Sequence, residues 1–241
     1  MTTKPKLTLL GDAWIYGTWK SEQKNLIPDQ PGMSQWLSDR FDVVVDFYDA
    51  NHGIWNDVAR VKSADLSGTV IVFQSNTAHR LHSNNYEVSY SELARQSKDL
   101  AEFFSSVVDG YYQQLDKIAA DANTKIYLCG SVTDIDESVI AKYPNLVNLC
   151  TSWINLCCSE HTPSPVMQGY VRQQQFDLDL EFERIDRNDL LEQLSMTNNP
   201  FKSAKLISSE LFQYVNIESK LWPTLEAHRI IAEHILKHLP Q

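Results

Sequence analysis

Short apolar runs alternate with amphipathic stretches along most of the chain. The first run, Lys6-Leu7-Thr8-Leu9-Leu10, stops abruptly at Gly11-Asp12-Ala13. Such a run reads as a buried strand delivering its next residues to the C-terminal edge of a parallel sheet, where open α/β sheets place their ligands. A candidate site is therefore expected at Ala13. Residues 18–32 are polar and carry Pro28, Pro31 and Gly32, which predicts a loop feeding a short helix over 33–40 with Trp36 and Leu37 as its core contacts. Val43-Val44-Val45-Asp46-Phe47-Tyr48 is rich in β-branched and aromatic residues and predicts strand two. A polar, glycine-containing loop over 49–57 follows, and Val58 and Val61 begin a helix.

The same alternation continues. Thr69-Val70-Ile71-Val72-Phe73 predicts strand three, Lys125-Ile126-Tyr127-Leu128-Cys129 strand four and Leu146-Val147-Asn148-Leu149-Cys150 strand five. Between strands three and four, Leu93, Leu100, Phe103, Phe104, Val107, Val108, Tyr111, Leu115 and Ile118 recur mostly at steps of three and four. They predict a long amphipathic helix from 91 to about 122, with Gly110 as a place for a bend. A short helix near 136–142 and an amphipathic helix after Pro223, carrying Leu225, Ile230, Ile231, Ile235, Leu236 and Leu239, complete the regular part. Residues 151–221 fit neither period cleanly: Phe176, Leu178, Leu180 and Phe182 alternate like a half-exposed strand, while Leu178, Phe182 and Ile185 fit one helix face. This stretch reads as an insertion, mostly helical beyond Asp186. The whole pattern predicts an α/β fold, a three-layer α/β/α sandwich around a parallel sheet of about five strands.

Composition narrows the functional classes. A chain of 241 residues can bury one large core, and no linker-like stretch divides it, so a single domain is expected. Apolar residues make up 43% and charged residues 22%, and no run approaches the roughly 18 apolar residues of a membrane span. Met1-Thr2-Thr3-Lys4-Pro5-Lys6 passes into the first strand without the apolar segment of a signal peptide, which predicts a cytoplasmic protein. The net charge of −10 argues against a nucleic-acid partner, whose phosphates need clustered Lys and Arg. Cys129, Cys150, Cys157 and Cys158 form no Cys-x-x-Cys pair and read as buried reduced thiols. His234 and His238 share a helix face, but in a terminal turn they read as solvated, and neither a metal nor a cofactor is expected. The acidic run over 177–192 reads as a solvated face.

Four short blocks carry chemistry. Gly11-Asp12-Ala13 follows strand one, Asn51-His52-Gly53-Ile54-Trp55-Asn56 follows strand two, and Gln74-Ser75-Asn76-Thr77 follows strand three. Ser219-Lys220-Leu221-Trp222-Pro223 leads into the last helix, where His228 lies. In this order the blocks resemble those of the SGNH (GDSL) hydrolases, whose flavodoxin-like fold carries Gly-Asp-Ser, Asn-x-Gly-x-x-Gly, Gly-x-Asn-Asp and Asp-x-x-His-Pro. The resemblance covers the strands and the last helix but not 151–215. It implies that Ala13 stands at the nucleophilic serine, Trp222 at the general-base histidine and Ser219 at the aspartate that orients it. Asn56 replaces the glycine whose N–H serves the oxyanion hole, and Asn76 keeps the side-chain amide there. His228 matches the helix histidine and not the catalytic one.

Acyl transfer by this route needs a hydroxyl, a base within hydrogen-bond reach and a group that holds the base, and all three positions are changed. The resemblance then implies a domain that has lost ester hydrolysis and binds a small acyl-type ligand or a protein. Ala13, Trp14, Trp55, Asn56, Asn76 and Trp222 would line the ligand site. The alternative is an active esterase with a rebuilt site among Asp12, His52, His79 and Ser131. A homo-oligomer or a subunit of a larger assembly is compatible with either. Since tailed phages encode compact SGNH-like proteins, a virion component is included.

Overall fold

The structure is a computed structural model that describes residues 3–22, 25–48, 54–75, 81–83, 86–88, 100–130, 135, 137–157, 215–216 and 222–240. In chain order the strands are β1 Lys6–Asp12, β2 Gly17–Glu22, β3 Asn25–Pro31, β4 Asp42–Tyr48, β5 Thr69–Phe73, β6 Leu81–Ser83, β7 Tyr86–Val88, β8 Ile126–Cys129, β9 Leu146–Cys150, β10 Val215–Asn216 and β11 Trp222–Pro223. The α-helices are α1 Ser34–Leu37, α2 Ile54–Ser63, α3 Leu100–Asp121, α4 Glu137–Ile140, α5 Trp153–Cys157 and α6 Leu225–His238.

β4, β1, β5, β8 and β9 pair in that order as one parallel sheet. These are the five apolar runs of the sequence. They are legible because a parallel sheet covered by helices is buried on both faces, which demands near-continuous Val, Ile and Leu. β1 pairs with β4 on one side, Leu9 opposite Val45, and with β5 on the other, Leu9 opposite Ile71. The chain therefore reverses its winding direction at β1, and the C-terminal ends of β1 and β5 flank the switch point where open α/β sheets bind ligands.

Alternate residues feed two separate cores, as the two-residue strand period requires. Leu7, Leu9, Ile71, Phe73 and Cys129 pack with Leu37 of α1, Trp153 and Cys157 of α5, and Ala227, Ile231, Ala232 and Ile235 of α6. Leu10, Val70, Val72, Ile126 and Leu128 pack instead with Ile54, Val58 and Val61 of α2, with Tyr111, Tyr112, Leu115 and Ala119 of α3, and with Ile140 of α4. The chain is of the α/β class. None of the helices among the described residues is long and apolar enough to cross a membrane.

Three expectations are corrected. Residues 18–32 are not a loop: β2 and β3 form an antiparallel hairpin, irregular between Thr18 and Trp19. Proline is tolerated in such an edge ribbon, so Pro28 and Pro31 did not forbid it. Gly17 starts the ribbon at φ 153°, a conformation open to glycine, where a Cβ would lie 2.0 Å from the Gln30 carbonyl oxygen. The second helix begins at Ile54 and not at Val58, because Ile54 shares the buried face with Val58 and Val61. α1 is a single turn over Ser34–Leu37 and not a helix to residue 40, yet Leu37 is buried and Trp36 packs on the core as expected. The long helix runs unbroken past Gly110, and the first part of its expected span, 91–99, lies outside the described residues. Most of the expected insertion lies outside them too, as does the acidic run over 177–192.

Candidate functional site

At the end of β1 the chain closes into a 3-10 turn over Ala13–Ile15, started by the Asp12 side chain, which accepts from the Trp14 N–H at 3.3 Å. Ala13, Trp14 and Ile15 are all buried, Ala13 to 1% exposure. The Ala13 carbonyl accepts from the Trp19 indole N–H at 3.0 Å, so the hairpin folds back over the turn. Trp14 is the hub of a ring cluster. Phe73 meets it edge-on at 5.3 Å between centroids, Trp153 lies at 6.2 Å and His228 at 6.3 Å. Tyr16, Trp19 and Phe47 form a second, half-buried trio with centroids 5.3–6.0 Å apart. Aromatic groups thus fill the region where the SGNH resemblance puts a nucleophile.

His228 enters from the first turn of α6, which the Thr224 hydroxyl caps by accepting from the Ala227 N–H at 3.4 Å. Its ring is fully buried, and among the described residues no well-formed hydrogen bond reaches either ring nitrogen, although the Gly17 backbone lies close by. It packs so closely on Gly32 that a Cβ there would come within 2.7 Å of Nδ1. Burial lowers its pKa to about 4, with the nearby Gly17 backbone opposing the fall, so the imidazole is neutral. The Trp153 indole N–H, buried against Trp14, is likewise without a hydrogen-bond partner among the described residues.

Across the sheet lies a polar group the sequence reading did not single out. Asp57, in the first turn of α2, is fully buried and accepts from the Ser75 N–H at 2.9 Å, the Ser75 hydroxyl at 2.7 Å and the Tyr111 hydroxyl at 3.3 Å. The Tyr112 hydroxyl donates to Gln74 Oε1 at 2.7 Å alongside. Burial pushes the Asp57 carboxyl up to about 8 and the charge of Asp12 adds to the rise, against the bonds from Ser75 and Tyr111. One carboxyl therefore fastens α2, the segment after β5 and α3 together at the C-terminal edge of the sheet. A signal for it existed: an acid three residues after Ile54 falls on the helix face that Val58 and Val61 bury.

The other expected residues are distributed as follows. Asn56 and Trp55 are half-buried in the first turn of α2, where backbone N–H groups lack intrahelical partners. The Trp55 ring lies over Gly110 of α3. Asp12 comes within electrostatic reach of Asp57, the neighbour of Asn56. Trp222 lies in β11 opposite Asn216, its side chain outside the described residues. His52, Asn76, His79, Ser131 and Ser219 also lie outside them.

His234 is not solvated as expected. It is half-buried, and its Nε2–H donates to the Leu149 carbonyl at 2.7 Å, while His238 Nδ1–H donates to the His234 carbonyl at 2.8 Å. The two rings stack at 4.0 Å with planes 31° apart, which does not converge their in-plane lone pairs on an ion roughly 2.0–2.1 Å from each nitrogen. No group of three or more His, Cys, Asp or Glu residues suited to a metal occurs among the described residues. Cys129, Cys150 and Cys157 are buried free thiols, and Cys158 lies outside the described residues. Searches against protein-family models, curated proteins and solved structures find no match to this chain.

Proposed function

We propose that the chain is an SGNH-hydrolase-like domain, a three-layer α/β/α sandwich, that has lost ester hydrolysis and acts in binding, toward a small acyl-type ligand or a protein partner. The strand order β4-β1-β5-β8-β9, with Gly11-Asp12-Ala13 ending β1 at the switch point, supports the family assignment. The observation that carries the loss of activity is Ala13 itself. It has no hydroxyl, it is buried, and its carbonyl is occupied by Trp19. A serine hydrolase stripped of its triad keeps only about 10³–10⁴ over the uncatalysed rate, too little to be a selected activity.

Turnover of short-chain p-nitrophenyl esters by purified protein tests this reading. The expected rate equals that of a heat-killed control across the neutral range. Saturable turnover that survives Asn56→Ala would instead point to an esterase with relocated residues.

A further inference from the structure

Cys129 ends β8 and Cys150 ends β9, and a shift in pairing after Leu128 brings them into direct register. Leu149 and Cys150 are consecutive yet both join the core cluster that holds Cys129, as a local bulge permits. The two thiols lie within electrostatic reach of each other, and the Cys150 S–H donates to the Ser152 carbonyl at 3.2 Å. Both are free. Paired strands lie about 4.8 Å apart, inside the roughly 4.4–6.8 Å Cα separation that a disulfide accepts. A bond here can close, and excess thiol can reopen it by exchange.

We propose that Cys129 and Cys150 form a reversible cross-strand disulfide, making the end of β8 and β9 a modification site for small disulfide oxidants such as oxidised glutathione. Cys150 is the more exposed, 7% against 1%, and attacks first. Its thiolate displaces one glutathione thiolate and leaves a mixed disulfide. The Cys129 S–H then loses its proton to solvent, its thiolate attacks the Cys150 sulfur and expels the second glutathione thiolate, and solvent protonates both released thiolates. Two protein thiols are oxidised, one glutathione disulfide is reduced to two thiols, and no other reactant is needed. Burial raises the Cys129 thiol, so little of it is thiolate and its attack is the slow step of the pair. The bridge would also act on its surroundings, since Gly130 N–H donates to the Cys150 carbonyl at 2.7 Å and Trp153 N–H to the Gly130 carbonyl at 3.1 Å. Trp153 in turn lies against Trp14.

The test is native oxidation of the full chain with oxidised glutathione, followed by alkylation and peptide mapping. The expected product links Cys129 to Cys150, loses two of the four thiols, alters tryptophan fluorescence and reopens in excess reduced glutathione. Cys157→Ser should leave the link intact, and Cys129→Ser should stop at the mixed disulfide on Cys150. If a variant fails to fold, the peptide map of the parent protein decides. The proposal is overturned if the native parent forms no link, if the link forms only in denaturant, or if Cys150 pairs with Cys157 or Cys158.

Discussion

Asp57 and His228 are both fully buried near the same edge of the sheet, one packed with each of the two cores, and their surroundings are opposite in kind. Asp57 receives three donors and joins three segments, while His228 has no well-formed hydrogen bond among the described residues and fills space between Trp14 and Gly32. A buried polar group that is satisfied fixes geometry, because removing it strands every donor aimed at it. One that is unsatisfied contributes by packing alone, and an apolar side chain of similar size serves as well. Position beside blocks that resemble catalytic ones thus says little about role. His228 lies beside the residue after Ala13 and packs there as a neutral ring, while the sequence reading passed over the acid that holds the edge together.

The largest expected effect breaks the Asp57 network. Asp57→Ala removes the acceptor that the Ser75 N–H, the Ser75 hydroxyl and the Tyr111 hydroxyl share and should lower unfolding free energy by about 3 kcal/mol or more. Asp57→Asn, which keeps an acceptor oxygen, should cost less than half as much. Urea denaturation of parent and both variants measures this, and equal losses would show that the network does not matter.

The pH profile sharpens the contrast, because the two groups drive stability in opposite directions. Between pH 4 and 6.5 the unfolded chain protonates a histidine that the folded chain keeps neutral, so His228 makes stability rise with pH. From about 3.8 to 8 the unfolded chain ionises an aspartate that the folded chain keeps protonated, so Asp57 makes stability fall with pH. Each slope approaches about 1.4 kcal/mol per pH unit, so the pair nearly cancels up to pH 6.5 and leaves only the fall above it. Relative to the parent, His228→Leu should lose the rise below pH 6.5, and Asp57→Asn should lose the fall between 6.5 and 8. Denaturation midpoints across pH 4–8 for the three proteins would contradict this if the difference curves were flat.

A smaller effect is expected at Ala13. Ala13→Ser puts a hydroxyl into a cluster of Trp14, Phe73 and Trp153 and should destabilise by about 1–2 kcal/mol, read by thermal or urea unfolding. Adding Trp222→His, Ser219→Asp and Asn56→Gly should still give no ester turnover, since the new hydroxyl is sealed under Trp19. Turnover by the folded quadruple variant would mean that the pocket opens.

The five parallel strands were legible because burial on both faces writes itself as uninterrupted apolar sequence. The β2–β3 hairpin was not, because a ribbon outside the main sheet can be polar and hold two prolines, which reads as loop. At the site, the placement of Asp12 and Ala13 at the strand edge was legible from the stop at Gly11. The sealing of Ala13 was not, since it depends on Trp19 folding back and on Trp153 and His228 arriving from far along the chain. Asp57 was hidden because a loop over 49–57 leaves it off the helix, whereas the observed start at Ile54 puts it on the buried face with Val58 and Val61.

The most direct test of the proposed loss of hydrolysis is reaction of the native protein with a serine-directed fluorophosphonate, read by intact mass against an active serine esterase treated in parallel. The account predicts no adduct on this chain while the esterase is labelled to completion. A stoichiometric adduct that heat denaturation abolishes, mapped to Ser75, Ser131 or any other serine, would show an activated nucleophile and contradict it.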